Sequence, residues 1–304
     1  MTRPRRVVPG TSYMLTRRTT QRMFLLRPDS ITKEAFIYCF ALAAQRHSIE
    51  VHWLTVMSNH YHSGICDVTG CVPAFLRDFH GLLARCINAA RGRWENLWAS
   101  EQAGMLELVD ADAVFDKMIY GLTNPCAANL VDKVSHWPGV SSFANVLTGK
   151  PITARRPHWF FDRENGSLPD TVELRFVRPR EVADLSEQAW RDKVEAAVQA
   201  RETELKQQRQ EKGVKLVGRK AVRRQSANSQ PKTVAKRRSL NPRVAGRNMW
   251  KRIEALLRNK RFEALYRAAM KRYRLGERHV AFPFGTYKLR HMGHVRVEPP
   301  PLAA

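Results

Sequence analysis

The spacing of apolar and polar residues in the first half of the chain predicts alternating strands and helices. Runs rich in β-branched and aromatic residues predict strands, and apolar residues three and four positions apart predict helices. The predicted strands cover residues 6–16, 50–57, 60–66 and 103–109, and the predicted helices cover residues 31–48, 72–91 and 111–121. The order β-α-β-β-α-β-α indicates an α+β fold, a ferredoxin-like or RRM-like antiparallel sheet with helices packed on one side of it.

The hydrophobic pattern weakens after about residue 150. The elements predicted there are a strand over residues 171–178 and charged helices over residues 185–212 and 247–274. Residues 213–245 are basic and polar, a composition that favours a flexible segment until an anionic partner binds. We therefore predict a folded domain over residues 1–150 and a basic, mainly helical C-terminal extension over residues 151–304.

The charge of the chain points to a polyanionic partner. Lys and Arg number 52 against 28 Asp and Glu, for a formal net charge of +24. Residues 1–150 carry 16 Lys and Arg against 12 Asp and Glu, and the remainder carries 36 against 16. Such a surface binds nucleic acid by releasing the counterions condensed on its phosphates. The chain shows neither an 18-residue apolar run nor an apolar leader, and its five cysteines are not densely spaced, so we expect a cytoplasmic protein and no membrane partner.

Basic and aromatic residues in three places are candidates for DNA contact. An arginine-rich arm beside the first strand suits phosphate contacts, Trp98 suits stacking on an unpaired base, and the stretch from Lys212 to Arg243 is densely basic. The alternatives are a solvated face for the arginines and core packing for Trp98. The candidates are Arg3, Arg5, Arg6, Arg17, Arg18, Arg22, Trp98, Arg219, Lys220, Arg223, Arg224, Lys236, Arg237 and Arg238.

Two histidines separated by one residue, His60 and His62, are the first candidates for chemistry. In a strand, residues two apart point to the same face, so both imidazoles project together and can share a divalent cation. A pair with this spacing also arises by chance, so a structural role is one alternative. A zinc site completed by Cys66 and Cys71 is another, although structural zinc ligands usually pair within tight turns.

Tyr120 and Asn124 are the second candidates. They lie at the end of the predicted helix 111–121, where residues four apart share a face. An amide oxygen beside a phenol, facing a metal site, could complete the coordination of an oxygen-preferring ion such as Mg²⁺. Two alternatives stay open: Tyr120 as an amphipathic core residue, and Asn124 as the N-cap of a helix over residues 125–133, since Pro125 disfavours helical geometry before it.

Four motifs, in order and at matching spacing, resemble those of the IS200-like transposase family, specifically the REP-associated tyrosine transposases. VMSNHYHSGI contains the histidine pair, and LARCINAARGR, followed by Trp98, ends the predicted helix 72–91. YGLTNPCAANLVD contains Tyr120, and HWPGVSSF closes the series. The resemblance covers roughly residues 8–145, about half of the chain. Four ordered motifs are far more specific than any one of them alone.

The resemblance implies an HUH nuclease core, with residues 1–150 as the catalytic domain. It implies that His60 and His62 bind the divalent metal, Mg²⁺ or Mn²⁺, that Tyr120 is the nucleophile and that Asn124 is the third side-chain ligand. The implied activity is metal-dependent nicking and strand transfer of single-stranded DNA through a 5′-phosphotyrosine intermediate, on hairpin-forming repeats. The implied setting is the nucleoid, and both a monomer and a homodimer stay open.

Three departures from the family pattern keep a different function open. Ser58 stands where the family has proline, and Tyr61 stands where it has valine or isoleucine. Residues 99–101 (ASE) replace polar, often basic residues, so Glu101 would bring negative charge close to DNA unless it approaches the metal instead. The alternative is a catalytically inactive or domesticated nucleic-acid-binding protein on the same fold.

Overall fold

The central sheet has five strands in this structure, a computed structural model that describes residues 3–162, 166–233, 242–293 and 295–300. The strands of the molecule are β1 (Thr11–Arg18), β2 (Ile49–Met57), β3 (His60–Asp67), β4 (Gly104–Leu108), β5 (Ile152–Arg155), β6 (Thr171–Leu174) and β7 (Val244–Ala245). Their order in the sheet is β2-β3-β1-β4-β7; the first four are antiparallel, and β7 runs parallel to β4. This is the predicted ferredoxin-like order, and the α+β class is confirmed.

Helices follow the strands in the predicted alternation. They are α1 (Ser30–Arg46), α2 (Val72–Arg91), α3 (Ala111–Leu122), α4 (Asn124–Ala127), α5 (Phe143–Thr148), α6 (Glu187–Glu211), α7 (Arg219–Arg224), α8 (Met249–Arg274) and α9 (Lys288–Met292). Asp29 caps α1 by accepting a hydrogen bond from the Thr32 N–H at 2.8 Å. Gly92 ends α2 with a φ of +60°, a conformation that glycine adopts without strain.

Helices cover both faces of the sheet, so the prediction that they lie on one side is wrong. On one face α1 and α2 pack through Phe36, Phe40 and other aromatic residues. On the other face α3 and α6 pack over Trp53, with Met118 and Trp190 in the same cluster. Strand β2 gives the reason. Its run VHWLTVM has apolar residues on both faces of the sheet, so both faces need to be covered.

The second half of the chain wraps around this core. The hairpin of β5 and β6 packs against α1, and β7 extends the sheet beyond β4. The strand at the opposite edge, β2, forms backbone hydrogen bonds with two later loops. The Val56 N–H donates to the Val140 carbonyl, and the Val177 N–H donates to the Val51 carbonyl. The predicted helices 185–212 and 247–274 correspond to α6 and α8, whereas the strand predicted over 171–178 ends at Leu174. The domain boundary at residue 150 stays a prediction.

The basic segment 213–245 is described in part, over residues 213–233 and 242–245. It contains the short helix α7, from which Val222 is buried in the cluster under α3 and α6. The flexibility predicted for this segment stays a prediction. Across the described residues, no helix is both long enough and apolar enough to cross a membrane.

Candidate active site

His60 and His62 lie at the start of β3 and project from the same face of the sheet, toward α3. Their ring centroids are 4.8 Å apart. The intervening Tyr61 points to the opposite face, where it is fully buried among the aromatic residues of α1 and α2. The alternation of a strand therefore places the two imidazoles together, as their spacing predicts.

Burial holds both imidazoles neutral. It lowers the pKa of His60 to about 4, against a smaller opposing effect of Asn124. Burial and the adjacent His60 ring lower the pKa of His62 well below its usual range. The Nδ1 of His60 donates to the Asn59 Oδ1 at 2.7 Å, which fixes that ring, whereas the buried Nδ1 of His62 has no hydrogen-bond partner among the described residues. A neutral imidazole nitrogen that is buried and unpaired fits a metal ligand.

Tyr120 lies on α3 directly beside the histidine pair. Its ring centroid is 5.7 Å from that of His62, and the residue is 45% exposed, so a substrate can reach it from solvent. The Lys117 ammonium, one turn earlier on the helix, lies 5.7 Å from the centre of the Tyr120 ring. The structure thus combines an accessible phenol with a buried pair of neutral imidazoles.

Tyr61, the other tyrosine of the histidine motif, is not placed for the same chemistry. The Arg17 guanidinium donates to His80 Nδ1 at 2.7 Å, so the His80 proton is on Nε2 and is donated to the Tyr61 hydroxyl at 2.8 Å. Burial raises the pKa of the Tyr61 phenol far above its usual value. Its hydroxyl is therefore a buried, neutral group on the far face of the sheet from Tyr120.

Two glycines and a tryptophan set the distance between α3 and the sheet. A Cβ on Gly64 of β3 would lie 2.0 Å from Trp53 Nε1, and a Cβ on Gly121 of α3 would lie 2.0 Å from Trp53 Cζ3. The indole is therefore clamped between the strand that carries the histidines and the residue after Tyr120. Sequence reasoning missed this arrangement, although a glycine inside a strand and another inside a helix both indicate close approach.

Asn124 brings a fourth side chain to the site. It is the first residue of α4, whose N-cap is Thr123, and that cap makes no side-chain hydrogen bond. The structure therefore does not use Asn124 as the N-cap of a helix over 125–133. Its side chain instead lies close enough to His60 to raise the pKa of that imidazole, against the larger effect of burial. The roles of His60, His62, Tyr120 and Asn124 in a reaction stay predictions, but the structure brings the four together.

The zinc alternative with Cys66 and Cys71 is wrong. Cys66 is six residues beyond His60 on the same strand, a separation of about 20 Å at the rise of a strand. Within the described residues, no three His, Cys, Asp or Glu side chains come close enough to hold a metal ion together. The two imidazoles with the amide of Asn124 stay the predicted donor set for a divalent ion.

The arginines of the first 22 residues are mostly engaged by the protein itself. Arg17 binds His80 as described, and Arg5 donates to the Ala103 carbonyl at 2.8 Å. Arg18 forms an ion pair with Glu101 at 3.1 Å, so Glu101 pairs with an arginine rather than approaching the histidines. Of the remaining candidates, Arg22 donates to the Thr233 carbonyl, Arg3 is exposed and Arg6 is half-buried.

Trp98 is largely buried, with 7% of its surface exposed. Its Nε1 donates to the His80 carbonyl at 3.0 Å, and the Arg17 guanidinium lies 5.3 Å from the centre of its ring. Core packing therefore accounts for most of its surface, and only a small part can meet a ligand.

The basic residues of α7 lie on a segment that is bonded to the loops after α4 and after β1. Arg219, Lys220, Arg223 and Arg224 are all exposed. Before α7, the Val217 N–H donates to the carbonyl of Asn129, just after α4. After α7, the Ser229 carbonyl accepts from the Phe24 N–H. The loop after β1 is in turn bonded to the turn between β2 and β3, which directly precedes His60. Lys236, Arg237 and Arg238 lie outside the described residues.

Comparisons with known proteins find similarity at the level of solved structures. No protein-family model matches the chain, and no curated protein matches it. The REP-associated tyrosine transposase bound to a REP hairpin is 18% identical, with a TM-score of 0.41 over 48% of this chain and 84% of that chain. A candidate transposase from Deinococcus radiodurans R1 is 21% identical, with a TM-score of 0.28 over 35% of this chain and 85% of that chain. At these values the similarities do not establish the family, and the fold class rests on the strand order.

Proposed function

We propose that this protein is a single-stranded DNA transposase that cleaves and rejoins DNA through a 5′-phosphotyrosine at Tyr120, with Mg²⁺ or Mn²⁺ held by His60 and His62. The observation that carries the proposal is the exposed Tyr120 ring 5.7 Å from a buried, neutral histidine pair. Hairpin-forming repeat DNA is the proposed substrate, in line with the hairpin bound by the similar tyrosine transposase.

The chemistry uses the side chains in distinct roles. In the first transfer the Tyr120 oxygen bonds to phosphorus, the bond from phosphorus to the 3′ oxygen breaks, and the phenolic proton leaves while the 3′ oxygen gains one. The phosphotyrosine conserves the bond energy, so a 3′ hydroxyl can reverse the reaction and rejoin a strand without a nucleotide cofactor. His60 and His62 would hold a divalent ion, which would supply positive charge to offset the charge of the phosphate.

In this proposal His60, His62 and Asn124 hold and orient the divalent ion. Lys117 and the clamp, in which Trp53 packs between Gly64 and Gly121, position Tyr120. The hydrogen bond to Asn59 fixes the orientation of the His60 ring. The lone pair of its Nε2 therefore points in one direction, toward the proposed ion. The Trp53 clamp holds α3 at a set height above β3, which places Tyr120 relative to His62. Such positioning contributes to rate because small displacements of a nucleophile are costly.

The proposed partner and location follow from charge. The exposed basic residues of α7 would contact phosphates on either side of the cleaved bond. The formal charge of +24 adds a long-range attraction to DNA. We place the protein in the cytoplasm, on the nucleoid.

The decisive experiment is a search for a covalent adduct. The full chain is incubated with single-stranded hairpin DNA and Mn²⁺ or Mg²⁺ and resolved on a denaturing gel. We expect a slower band with the wild type and its loss in Tyr120→Phe, while Tyr61→Phe, a matched removal of one hydroxyl, keeps the band. DNA binding without an adduct under either metal would refute the enzyme and favour the non-catalytic nucleic-acid-binding protein.

A further inference from the structure

A large cavity lies between the core and the C-terminal extension, on the face of the sheet opposite Tyr120. Its volume is about 670 Å³, within the range of sites for molecules of nucleotide size. Its walls come from the N-terminal arm, from the outer side of α2 and from the region around α9, and Trp98 and His80 line it from the core. Three distant stretches of chain therefore build one concavity.

The lining combines cations with aromatic rings. Arg3, Arg5, Arg17 and Lys288 line the cavity together with the rings of Trp98, Tyr266 and Tyr287. In the described part of the chain, none of its lining residues is an aspartate or a glutamate. The adjoining cavity shares Arg3 and Arg5 but includes three glutamates, so the absence of acidic groups is a property of this cavity rather than of the region.

Two of these cations have capacity for a ligand. The Nε of Arg17 is buried and has no hydrogen-bond partner among the described residues, although its NH1 binds His80. An unpaired buried guanidinium nitrogen is costly unless an acceptor reaches it. Lys288 is exposed at the rim and forms no ion pair in the described part of the chain. An anion with oxygen acceptors matches the exposed ammonium of Lys288 and the positive charge of Arg17, which both line the cavity.

A basic groove leads away from the cavity along α8. It shares Arg3, Tyr266 and Lys288 with the cavity and continues past Lys271 and Arg274. A single free nucleotide would not need this track, whereas the phosphates that follow one inserted nucleotide of a strand would lie along it. The groove thus favours a polynucleotide over a free nucleotide as the source of the ligand.

We propose that this cavity is a second nucleic-acid site, which takes one unpaired nucleotide with its base against Tyr287 and its phosphate toward Lys288 and the N-terminal arginines, while the neighbouring phosphates follow the groove along α8. The site rests on the proposed function for its biological ligand, a single strand of DNA. It is separate from the cleavage site, because the sheet lies between the cavity and Tyr120.

The test measures binding to the full chain carrying Tyr120→Phe, so that no covalent step contributes. The probes are dAMP, deoxyribose 5-phosphate and a single-stranded oligodeoxyadenylate, titrated by calorimetry. We expect dAMP to bind more tightly than the sugar phosphate, because the base adds stacking. Tyr287→Ala should weaken dAMP binding about tenfold or more, since one stacked base contributes that much, and Tyr287→Phe, which keeps the ring, should bind like the parent.

Charge variants give a second readout that does not depend on the tyrosine. Lys288→Glu should weaken both dAMP and the oligonucleotide, whereas Lys150→Glu, an equally exposed lysine outside the cavity, should leave dAMP binding unchanged. Displacement of dAMP by the oligonucleotide would identify a DNA strand as the ligand; retention of dAMP beside the bound oligonucleotide would identify a free nucleotide.

The proposal is overturned if dAMP fails to bind at millimolar concentration, or if its affinity is the same in Lys288→Glu as in Lys150→Glu. These outcomes do not depend on adduct formation. A protein that binds dAMP here but forms no adduct would refute only the cleavage reaction, and one that forms the adduct but does not bind dAMP would refute only the second site.

Discussion

Replacing Gly121 by alanine should move α3 away from the sheet and slow the proposed reaction of Tyr120. The new Cβ would lie 2.0 Å from Trp53 Cζ3, whereas carbon atoms in contact prefer about 3.5–4.0 Å. The helix or the indole must therefore shift by about 1.5 Å. Trp53 has little room, because it also packs so closely on Gly64 that a Cβ there would lie 2.0 Å from its Nε1. We therefore expect most of the shift in α3.

The magnitudes can be set against each other. An alanine in place of a helical glycine would by itself stabilise by about 0.5–1 kcal/mol, but overpacking a core costs about 1–3 kcal/mol. We expect a net loss of about 1 kcal/mol in the free energy of unfolding, measured by chemical denaturation. A displacement of about 1 Å at a reacting group can cost about a hundredfold in rate, so the initial rate of adduct formation should fall by about that factor while DNA affinity stays the same.

Two controls make the prediction sharp. Gly81→Ala, in α2, puts a Cβ where no atom lies within 4 Å, so its stability should rise by up to about 1 kcal/mol. Trp53→Phe removes one ring at the clamp, so the double variant Trp53→Phe/Gly121→Ala should be less destabilised than the sum of the single variants. If Gly121→Ala is as stable and as fast as the wild type, the clamp does not set the position of α3.

Three further predictions concern metal, DNA and pH. Mn²⁺ should raise the thermal midpoint of the wild type but not of His62→Ala, since only a bound ligand stabilises the folded state; an equal rise in both would remove His62 from the metal site. Changing the four basic residues of α7 to glutamine should flatten the dependence of log affinity for single-stranded DNA on log salt by about 0.7 for each lost phosphate contact, and an unchanged slope would show that α7 does not contact DNA. Burial raises the pKa of Asp29, but hydrogen bonds from Thr32 and Arg91 outweigh this effect, so the pKa is lowered. The stability that this carboxylate contributes is present above its unfolded pKa of about 3.9. It is lost as the pH falls through the folded pKa. The difference in unfolding free energy between wild type and Asp29→Asn should therefore shrink on acidification, and a difference that grows instead would contradict the capping role.

Most elements of the first half could be predicted because their periodicity is strong. The helix over 72–91 is found with the same limits, and the strand pair around residues 58–59 differs by a single residue at each outer end. The prediction that the helices lie on one side of the sheet was wrong. A hydrophobic pattern shows that a strand is apolar, but it does not show whether one face or both faces of the sheet are covered. Elements with a strong hydrophobic period could thus be predicted, but the number of helical layers on the sheet could not.

For the candidate site, the proximity of the histidines could be predicted from the sequence, but the contacts that support the site could not. The spacing of His60 and His62 dictates their shared face, because a strand alternates. The clamp around Trp53 depends on residues 53, 64 and 121, which no local pattern connects. The same holds for the cavity beside Trp98, whose walls come from both ends of the chain. Contacts between distant segments carry no local signature in one sequence.

Closure of the sheet at both edges limits how copies of this chain can meet. At one edge β7 pairs with β4 over Glu107 and Leu108, and at the other edge the backbone of β2 is bonded to the chain around residues 140 and 177. An open edge strand would offer a row of unpaired amides and carbonyls to a second molecule. In the described part of the chain both rows are used internally over these stretches, which protects the protein from edge-to-edge aggregation. A continuous sheet between two copies would therefore have to displace these bonds over the covered stretches.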